Sequence, residues 1–398
     1  MPASKPHILI AGAGIGGLAT ALALLRSGYE VDLYEQAHEL KEVGAGVQIS
    51  PNGTRVLHEL GVGAALRELS CEASGKEIRL WSTGQTWKLF DLGSVSVQRY
   101  GHPYLTVYRP DLIEVLAQAV RALKPDAIHF QAKVLGFEQR ADQVALQFEQ
   151  GQALGDVLIG ADGVHSRIRQ QLFGEDQPLV TGLMAWRGVI PMERLPEHMR
   201  RPVGTNWVGP GAHVVHYPLH GGKLMNFVGV VERSDWQVES WSARGSVAEC
   251  LADFRGWHED VQSMIQAIAE PFKWALLQRP PLPTWGRGRV SLLGDACHPT
   301  LPFLAQGAVM TLEDAFILMR ALQAETNAEQ ALQRYERARR TRTGRIVQGA
   351  ADNTKRFHNP ELANAEGAAA YVSREWGEER VKQRYEWLFN YDVTQEPI

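Results

Sequence analysis

Apolar runs of two different lengths alternate over the first forty residues of the chain. Residues 7–11 (HILIA) form a short run, which predicts a strand buried on both faces. Residues 18–26 form a longer run that is typical of a buried helix, with Gly28 as its stop. A second strand is predicted for residues 29–35 (YEVDLYE). The order strand, helix, strand predicts a βαβ unit in a parallel sheet.

The glycines between the first strand and the helix form a GxGxxG pattern made by Gly12, Gly14 and Gly17. Gly12 permits a tight turn, Gly14 lets the backbone approach a pyrophosphate, and Gly17 lets helix and strand pack closely. The helix N-terminus offers unpaired N–H groups to phosphates. Glu35 can accept hydrogen bonds from a ribose 2′-hydroxyl and would repel a 2′-phosphate. The unit therefore predicts a site for FAD or NAD rather than NADP.

Two later segments also place an acid just after an apolar strand. Residues 156–167 (DVLIGADGVHSR) lead into Asp162, and residues 290–298 (VSLLGDACH) lead into Asp295. A helix is expected to begin near residues 306–308. Ligands of open α/β sheets bind at the carboxyl ends of strands, which favours both acids as ligand contacts. Either acid could instead cap a helix or close a turn.

Between residues 176 and 280 the chain becomes rich in Val and aromatic residues broken by Gly and Pro, which predicts strands of a second sheet. Residues 76–100 have the same pattern and are expected to join it. His213 and Tyr217 fall on one face of a strand, so they could bind a phenol and take its proton. The alternative is a buried, hydrogen-bonded pair without a chemical role. His216 points the other way, so no metal site is expected.

Composition narrows the class of protein. The 398 residues suggest two domains, and a net charge of −4 argues against nucleic acid as a partner. The arginine-rich residues 334–345 are interpreted as a solvated helix face. Three separated cysteines indicate neither a disulfide framework nor a zinc site, and they fit a reducing cytoplasm. No apolar run long enough for a membrane span is seen, so no membrane association is expected.

Three motifs in order carry a resemblance to a known family. They are GAGIGG with Glu35, DVLIGADGVHSRIR, and GDACHPTLPFLAQGA followed by LEDA. The chain resembles the single-component FAD-dependent aromatic hydroxylases, the group of salicylate hydroxylase and 3-hydroxybenzoate 6-hydroxylase, from about residue 7 to about residue 345. The resemblance implies tightly bound FAD, NADH or NADPH as a transient donor, molecular oxygen as co-substrate, and hydroxylation through a flavin hydroperoxide. It also suggests a homodimer.

The motifs and the resemblance together predict the site. The expected cofactor-binding residues are Gly12, Gly14, Ile15, Gly16, Gly17, Glu35, Gln48, Arg109, Asp162, Asp295, Gln306, Gly307 and Ala308. In the loop 301–304, Leu301, Pro302 and Phe303 are apolar where family members often carry a polar residue, which puts a catalytic group from this loop in doubt. That loop and Trp186 are expected to keep water out. Arg187 is one candidate partner for a substrate carboxylate, and the alternative is a solvent-facing strand arginine.

The predicted fold class is α/β, with a Rossmann-like FAD-binding domain, a mixed β-sheet substrate domain and C-terminal helices. Residues 1–75, 101–175 and 281–355 are assigned to the first domain. Residues 76–100 and 176–280 are assigned to the second, and residues 356–398 to a helical tail.

The predicted function is hydroxylation of a small phenolic aromatic acid of the salicylate or 3-hydroxybenzoate type. A hydroxynicotinate-type 3-monooxygenase is the alternative within the same chemistry. A flavoprotein reductase or dehydrogenase that does not activate oxygen is the alternative of a different class.

Overall fold

The computed structural model describes residues 5–40, 45–233, 235 and 243–398 of the chain. Its strands are β1 (His7–Ala11), β2 (Glu30–Tyr34), β3 (Gly46–Ile49), β4 (Cys71–Glu72), β5 (Gly75–Leu80), β6 (Thr86–Asp91), β7 (Leu105–Tyr108), β8 (Ile128–His129), β9 (Val134–Gln139), β10 (Val144–Phe148), β11 (Gly151–Gly155), β12 (Val157–Gly160), β13 (Leu179–Pro191), β14 (Val203–Gly209), β15 (Ala212–Leu219), β16 (Leu224–Glu232), β17 (Phe272–Gln278), β18 (Gly286–Arg287) and β19 (Val290–Leu292).

The α-helices alternate with these strands in the first half and follow one another at the end. They are α1 (Ile15–Arg26), α2 (Pro51–Glu59), α3 (Gly63–Leu69), α4 (Ser94–Tyr100), α5 (Arg109–Leu123), α6 (Arg167–Phe173), α7 (Val247–Asp253), α8 (Glu259–Ala267), α9 (Gly307–Ala324), α10 (Ala328–Phe357), α11 (Ala365–Glu375) and α12 (Glu378–Phe389). None of the described helices combines the length and the apolar character that crossing a membrane requires.

The first sheet has six strands in the order β18-β19-β12-β1-β2-β8. The strands from β19 to β8 are parallel, and β18 is antiparallel at one edge. Helix α1 is apolar on nearly all sides because it is enclosed between this sheet and helices α5 and α9. The βαβ unit expected from the sequence is confirmed, and the predicted strands and helix differ from the observed ones by at most three residues at their ends.

The second sheet has seven strands in the order β17-β13-β16-β15-β14-β5-β6. Neighbouring strands are antiparallel except β14 and β5, which run parallel, so the sheet is mixed as predicted. Residues 76–100 do contribute two strands to it, β5 and β6. One face packs on α7 and α8 through an apolar core, and the other face looks towards the first sheet.

The interpretation of residues 334–345 as a solvated face is wrong for two of their arginines. Arg339 is fully buried, and its guanidinium donates to Glu313 and to Asp314, each over 2.7 Å. Arg342 donates to Glu313 over 2.9 Å. Positions three residues apart share one side of a helix, and this side of α10 faces two acids of α9. Burial raises the pKa of Glu313, but the two arginines outweigh that effect and lower it.

We expect Arg339→Met to destabilise the protein by about 3–5 kcal/mol, because two buried carboxylates would lose the arginine that they share. Urea unfolding followed by circular dichroism measures this change. The matched control is Arg337→Met, on the exposed side of the same helix, where we expect less than about 0.5 kcal/mol. Equal effects of the two variants would contradict the assignment of Arg339 as a buried structural charge.

Candidate active site

A cavity of about 390 Å³ lies between the two sheets. The first sheet and its helices supply a wall that is mostly backbone and small residues. These are Gly14, Ile15, Gly16, Ala161, Gly163, Asp295, Gly307 and Ala308. The second sheet supplies a wall of larger and more polar side chains. These are Lys76, Arg187, Asn206, His213, Val215, Tyr217, Asn226 and Trp274.

The turn between β1 and α1 forms one end of the cavity. Gly12 has φ of +99°, and a Cβ there would lie 2.5 Å from the carbonyl oxygen of Ala161. A Cβ at Gly17 would lie 1.8 Å from the carbonyl oxygen of Gly12. These two glycines therefore shape the turn without lining the cavity. Gly14 is different, because a Cβ there would meet nothing within 4 Å, and its backbone faces open space in the cavity.

Two of the expected acids are held by backbone N–H groups of the protein. Glu35 accepts from the N–H groups of Ala13 and Ala37, each over 2.9 Å. The carboxylate of Asp162 accepts from Arg167 over 2.8 Å at the start of α6. The side chain of Asp162 therefore caps a helix, which is the alternative that the sequence left open. Its role in cofactor binding stays a prediction, and its neighbour Gly163 is the residue that lines the cavity.

The segment after β19 brings Asp295 to the cavity as expected. Burial raises the pKa of Asp295, and the nearby charges of His298 and Arg109 oppose that effect. Gly307 and Ala308 also line the cavity at the start of α9. Gln306 does not, since its amide bonds the side chains of Ser50 and Asn52. Gln306 therefore holds the start of α9 against Ser50 and Asn52 and does not face the cavity.

Arg109 and Gln48 approach the cavity from the small sheet formed by β3, β7 and β4. Arg109 begins α5 directly after β7. Gln48 accepts a hydrogen bond from the hydroxyl of Tyr104 over 3.0 Å and also interacts with the hydroxyl of Tyr217. Gln48 thus links the small sheet to Tyr217 of the second sheet.

His213, Val215 and Tyr217 lie on the cavity face of β15, as the alternation of the strand predicts, while His216 lies on the opposite face. Burial lowers the pKa of His213 well below its usual value, so the ring is neutral at neutral pH. Burial also raises the pKa of Tyr217, whose hydroxyl therefore stays protonated. Their catalytic roles remain predictions at this point.

Sequence reasoning missed several cavity residues. Lys76 and Asn206 follow the same alternation as His213 on neighbouring strands, so the pattern could have found them once strand order was known. Phe357 and Tyr385 come from α10 and α12. These two aromatic residues could not have been placed without the packing of the C-terminal helices on the second sheet.

Neighbouring residues on β13 behave differently from what the sequence suggested. Trp186 lies in the core behind the sheet and donates to Asp253 over 2.7 Å, so the prediction that it keeps water from the site is wrong. Arg187 is only 4% exposed and lines the cavity beside the ring of Trp274. The alternative of a solvent-facing arginine is therefore wrong. Successive residues of a strand point to opposite faces of the sheet, so Arg187 faces the cavity and Trp186 faces the core on the other side.

A cluster outside the cavity combines groups that could bind a metal ion, namely His7, Glu30 and Asp32. The ammonium group of Lys124 lies 2.5 Å from Glu30 and 2.9 Å from Asp32, and His129 also bonds Asp32. Because a lysine already balances both carboxylates, we interpret the cluster as a salt-bridge network at the edge of the first sheet.

Comparisons with known proteins identify the family. The family described as "FAD binding domain" matches residues 5–350. A 3-amino-4-hydroxybenzoate 2-monooxygenase of Streptomyces platensis is 37% identical over 90% of each chain. A 3-hydroxybenzoate 6-hydroxylase of Aquipseudomonas alcaligenes is 36% identical over 93% of this chain and 92% of its own. A 6-hydroxynicotinate 3-monooxygenase of Pseudomonas fluorescens is 35% identical over 99% and 97%. The chain belongs to the FAD-dependent aromatic monooxygenases.

Solved structures of similar proteins agree with this family. The Klebsiella pneumoniae protein HpxO, in complex with FAD and uric acid, superposes with a TM-score of 0.82 at 27% identity and covers 98% of this chain and 97% of its own. A salicylate hydroxylase substrate complex superposes with a TM-score of 0.80 at 25% identity, covering 99% and 97%. The fold class expected from the sequence is confirmed.

The cavity of this monooxygenase fits FAD. The N-terminus of α1 has no side-chain cap and opens onto the cavity at Gly14, where phosphates are well placed to accept its N–H groups. Asn226 is fully buried and its carbonyl oxygen accepts from Gly46, but its NH₂ group has no partner in the described part of the chain. A flavin or a substrate with an acceptor atom would satisfy that donor.

We expect Gly14→Ala to weaken FAD binding by about tenfold or more, since the added methyl group takes space that the pyrophosphate needs. The apoprotein should fold normally because no atom lies near that methyl group. FAD affinity is measured by quenching of flavin fluorescence. Gly344→Ala, which also meets nothing within 4 Å but lies in α10, is the control. Unchanged affinity in Gly14→Ala would place the pyrophosphate elsewhere.

Proposed function

We propose that this monooxygenase hydroxylates a small phenolic aromatic acid whose hydroxyl is meta or para to the carboxylate. FAD, NADH or NADPH, and molecular oxygen serve the reaction. The proposal rests on two polar groups of the cavity wall, Lys76, which has no carboxylate partner in the described residues, and His213, whose ring is neutral. The following arrangement of strands supports it.

The register of the second sheet separates the two polar ends. Lys76 of β5 pairs with Gly204 of β14, whereas His213 of β15 pairs with Val208. Four residues along a strand correspond to about 13 Å. Both side chains line the cavity, so the space between them suits one substituted ring. A ring whose hydroxyl and carboxylate are neighbours, as in salicylate, would reach only one end.

Lys76 is the cation that we assign to the substrate carboxylate. Its ammonium group lies 4.9 Å from the centre of the Tyr104 ring and has no carboxylate partner in the described residues. Burial lowers the pKa of Lys76 to about 7. A bound carboxylate would restore the charge and would itself gain a strong hydrogen bond.

His213 is the group that we assign to the phenol hydroxyl. A neutral imidazole accepts a proton, and ionising the phenol raises the electron density of the ring carbons that are to be hydroxylated. Tyr217 lies four positions further along β15, closer to Gln48 and to the level of Lys76. We therefore assign Tyr217 to orienting the ring through its hydroxyl, and the proton transfer to His213 alone.

When bound, FAD supplies hydride acceptance from the nicotinamide donor and activation of oxygen. The chain contributes shelter from water, which such chemistry needs. Leu301 and Phe303 are 6% and 7% exposed and line the cavity beside His213, as expected for an apolar wall. Phe357 also packs against the His213 ring, with the two ring centres 5.1 Å apart. The loop thus provides a barrier rather than an acid or a base.

The names of the relatives support this class of substrate. Three of them act on 3-amino-4-hydroxybenzoate, 3-hydroxybenzoate and 6-hydroxynicotinate. In each of these acids the hydroxyl is meta or para to the carboxylate. A reductase or dehydrogenase that does not activate oxygen is the alternative, and oxygen uptake separates it from a monooxygenase. The domain boundaries, the homodimer and the cytoplasmic location stay predictions.

The test is NADH or NADPH oxidation with simultaneous oxygen uptake on the purified holoenzyme. The compounds are 3-hydroxybenzoate, 4-hydroxybenzoate, 3-amino-4-hydroxybenzoate, 6-hydroxynicotinate and salicylate. We expect one of the first four to accelerate both signals and to yield a hydroxylated product. Salicylate as the preferred substrate would overturn the proposed geometry. Donor oxidation without oxygen consumption would favour the reductase.

We expect Lys76→Met to raise KM for the preferred acid by roughly 10–100-fold, with a smaller change in kcat, because a charged hydrogen bond is lost. In the wild type, KM should rise as pH increases above about 7, where free Lys76 loses its proton. This dependence should vanish in the variant. Lys88→Met, at an exposed position within β6, is the control. An unchanged KM in Lys76→Met would assign the carboxylate to another cation.

A further inference from the structure

Behind His213, two side chains continue a line of hydrogen bonds to the protein surface. Nδ1 of His213 lies 2.7 Å from Nε2 of His358, and Nδ1 of His358 lies 3.0 Å from the carboxylate of Glu232. His213 is 1% exposed and the side chain of His358 is 2% exposed, whereas that of Glu232 is 58% exposed. The line therefore connects the cavity wall to bulk solvent.

The carboxylate at the outer end determines where the protons lie on both rings. An ionised carboxylate only accepts hydrogen bonds, so Nδ1 of His358 carries a proton and donates to Glu232. Nε2 of the neutral His358 ring is then an acceptor, and His213 must donate to it through its own Nδ1. Nε2 of His213 is left as a lone pair for the cavity. The order of the three groups thus sets His213 in the tautomer that a base requires.

The neighbouring side chains described next do not take part in this line of hydrogen bonds. The rings of Phe303 and Phe357 pack on His213 and do not titrate. Arg233, next to Glu232 in the chain, pairs with Asp235 and Asp253 instead. Burial lowers the pKa of His358, and Glu232 opposes that effect through its hydrogen bond and charge. Both histidines are therefore neutral before a proton arrives.

We propose that Glu232 and His358 position His213 as a base and carry the phenol proton from the cavity to solvent. The proposal rests on the proposed function, which assigns the phenol to His213. The O–H bond of the phenol breaks, its electron pair stays on oxygen, and Nε2 of His213 takes the proton. The Nδ1 proton of His213 passes to Nε2 of His358, and the Nδ1 proton of His358 passes to Glu232, from which water removes it.

The test uses the holoenzyme with 4-hydroxy-3-nitrobenzoate, a phenolic acid whose ionisation changes its visible spectrum. The variants are Glu232→Gln, His358→Gln and His213→Gln. A stopped-flow pH jump on the bound complex gives the rate of phenol ionisation. We expect each variant to slow it about tenfold or more, with similar affinity for the probe and full FAD content. The solvent deuterium isotope effect on that rate should change as well.

Two controls separate proton transfer from structural damage. Glu232→Asp retains a carboxylate and should recover most of the rate. Glu270→Gln removes a carboxylate of equal exposure, 58%, that pairs with Arg244 away from the line, and it should leave the rate unchanged.

Wild-type rates in Glu232→Gln and His358→Gln, with a slow His213→Gln, would overturn the proton path and leave the proposed function standing. A wild-type rate in His213→Gln would contradict the assignment of His213 as the base, and the proposed proton path would be wrong as well.

Discussion

The buried pairing of Arg339 with Glu313 and Asp314 is the interaction on which the geometry of the site depends. Glu313 also accepts from Asn52, which bonds Gln306 at the start of α9, and Asp314 bonds His298 over 2.6 Å. The segment 295–306 carries Asp295 and the apolar wall. It is held near its first end through His298 and at its last end through Gln306, and both contacts lead to the same ion network. Because losing one partner would leave a buried charge unpaired, the network fixes the position of the segment relative to α9 and α10.

The two sheets then contribute different kinds of chemistry. The first sheet presents backbone N–H groups and small residues at the carboxyl ends of parallel strands, which suits phosphates and a flavin. The second presents one face of alternating side chains, among them Lys76 and His213, which suits a small polar ring. The C-terminal helices complete the cavity with Phe357 and Tyr385 and place His358 behind His213. Cofactor, substrate and proton can therefore each be assigned to a separate wall.

Much of this could be predicted from the sequence, because short-range patterns determine it. The GxGxxG turn, the strands before Asp162 and Asp295, and the shared face of His213 and Tyr217 depend on local spacing alone. The inward arginines of α10 could not be predicted, since a charged run says nothing of acids on another helix. Lys76 and His358 were also missed, because their neighbours come from distant parts of the chain. Their roles depend on strand order and helix packing across more than a hundred residues.

The proposed binding mode places an aromatic acid between Lys76 and His213 in the cavity beside FAD. A crystal structure of the holoenzyme with the preferred acid, grown without the nicotinamide donor, tests it most directly. We expect the carboxylate within about 3 Å of Nζ of Lys76 and the hydroxyl within about 3 Å of Nε2 of His213. A carboxylate bound at Arg187 or Arg109, with the hydroxyl away from His213, would contradict it.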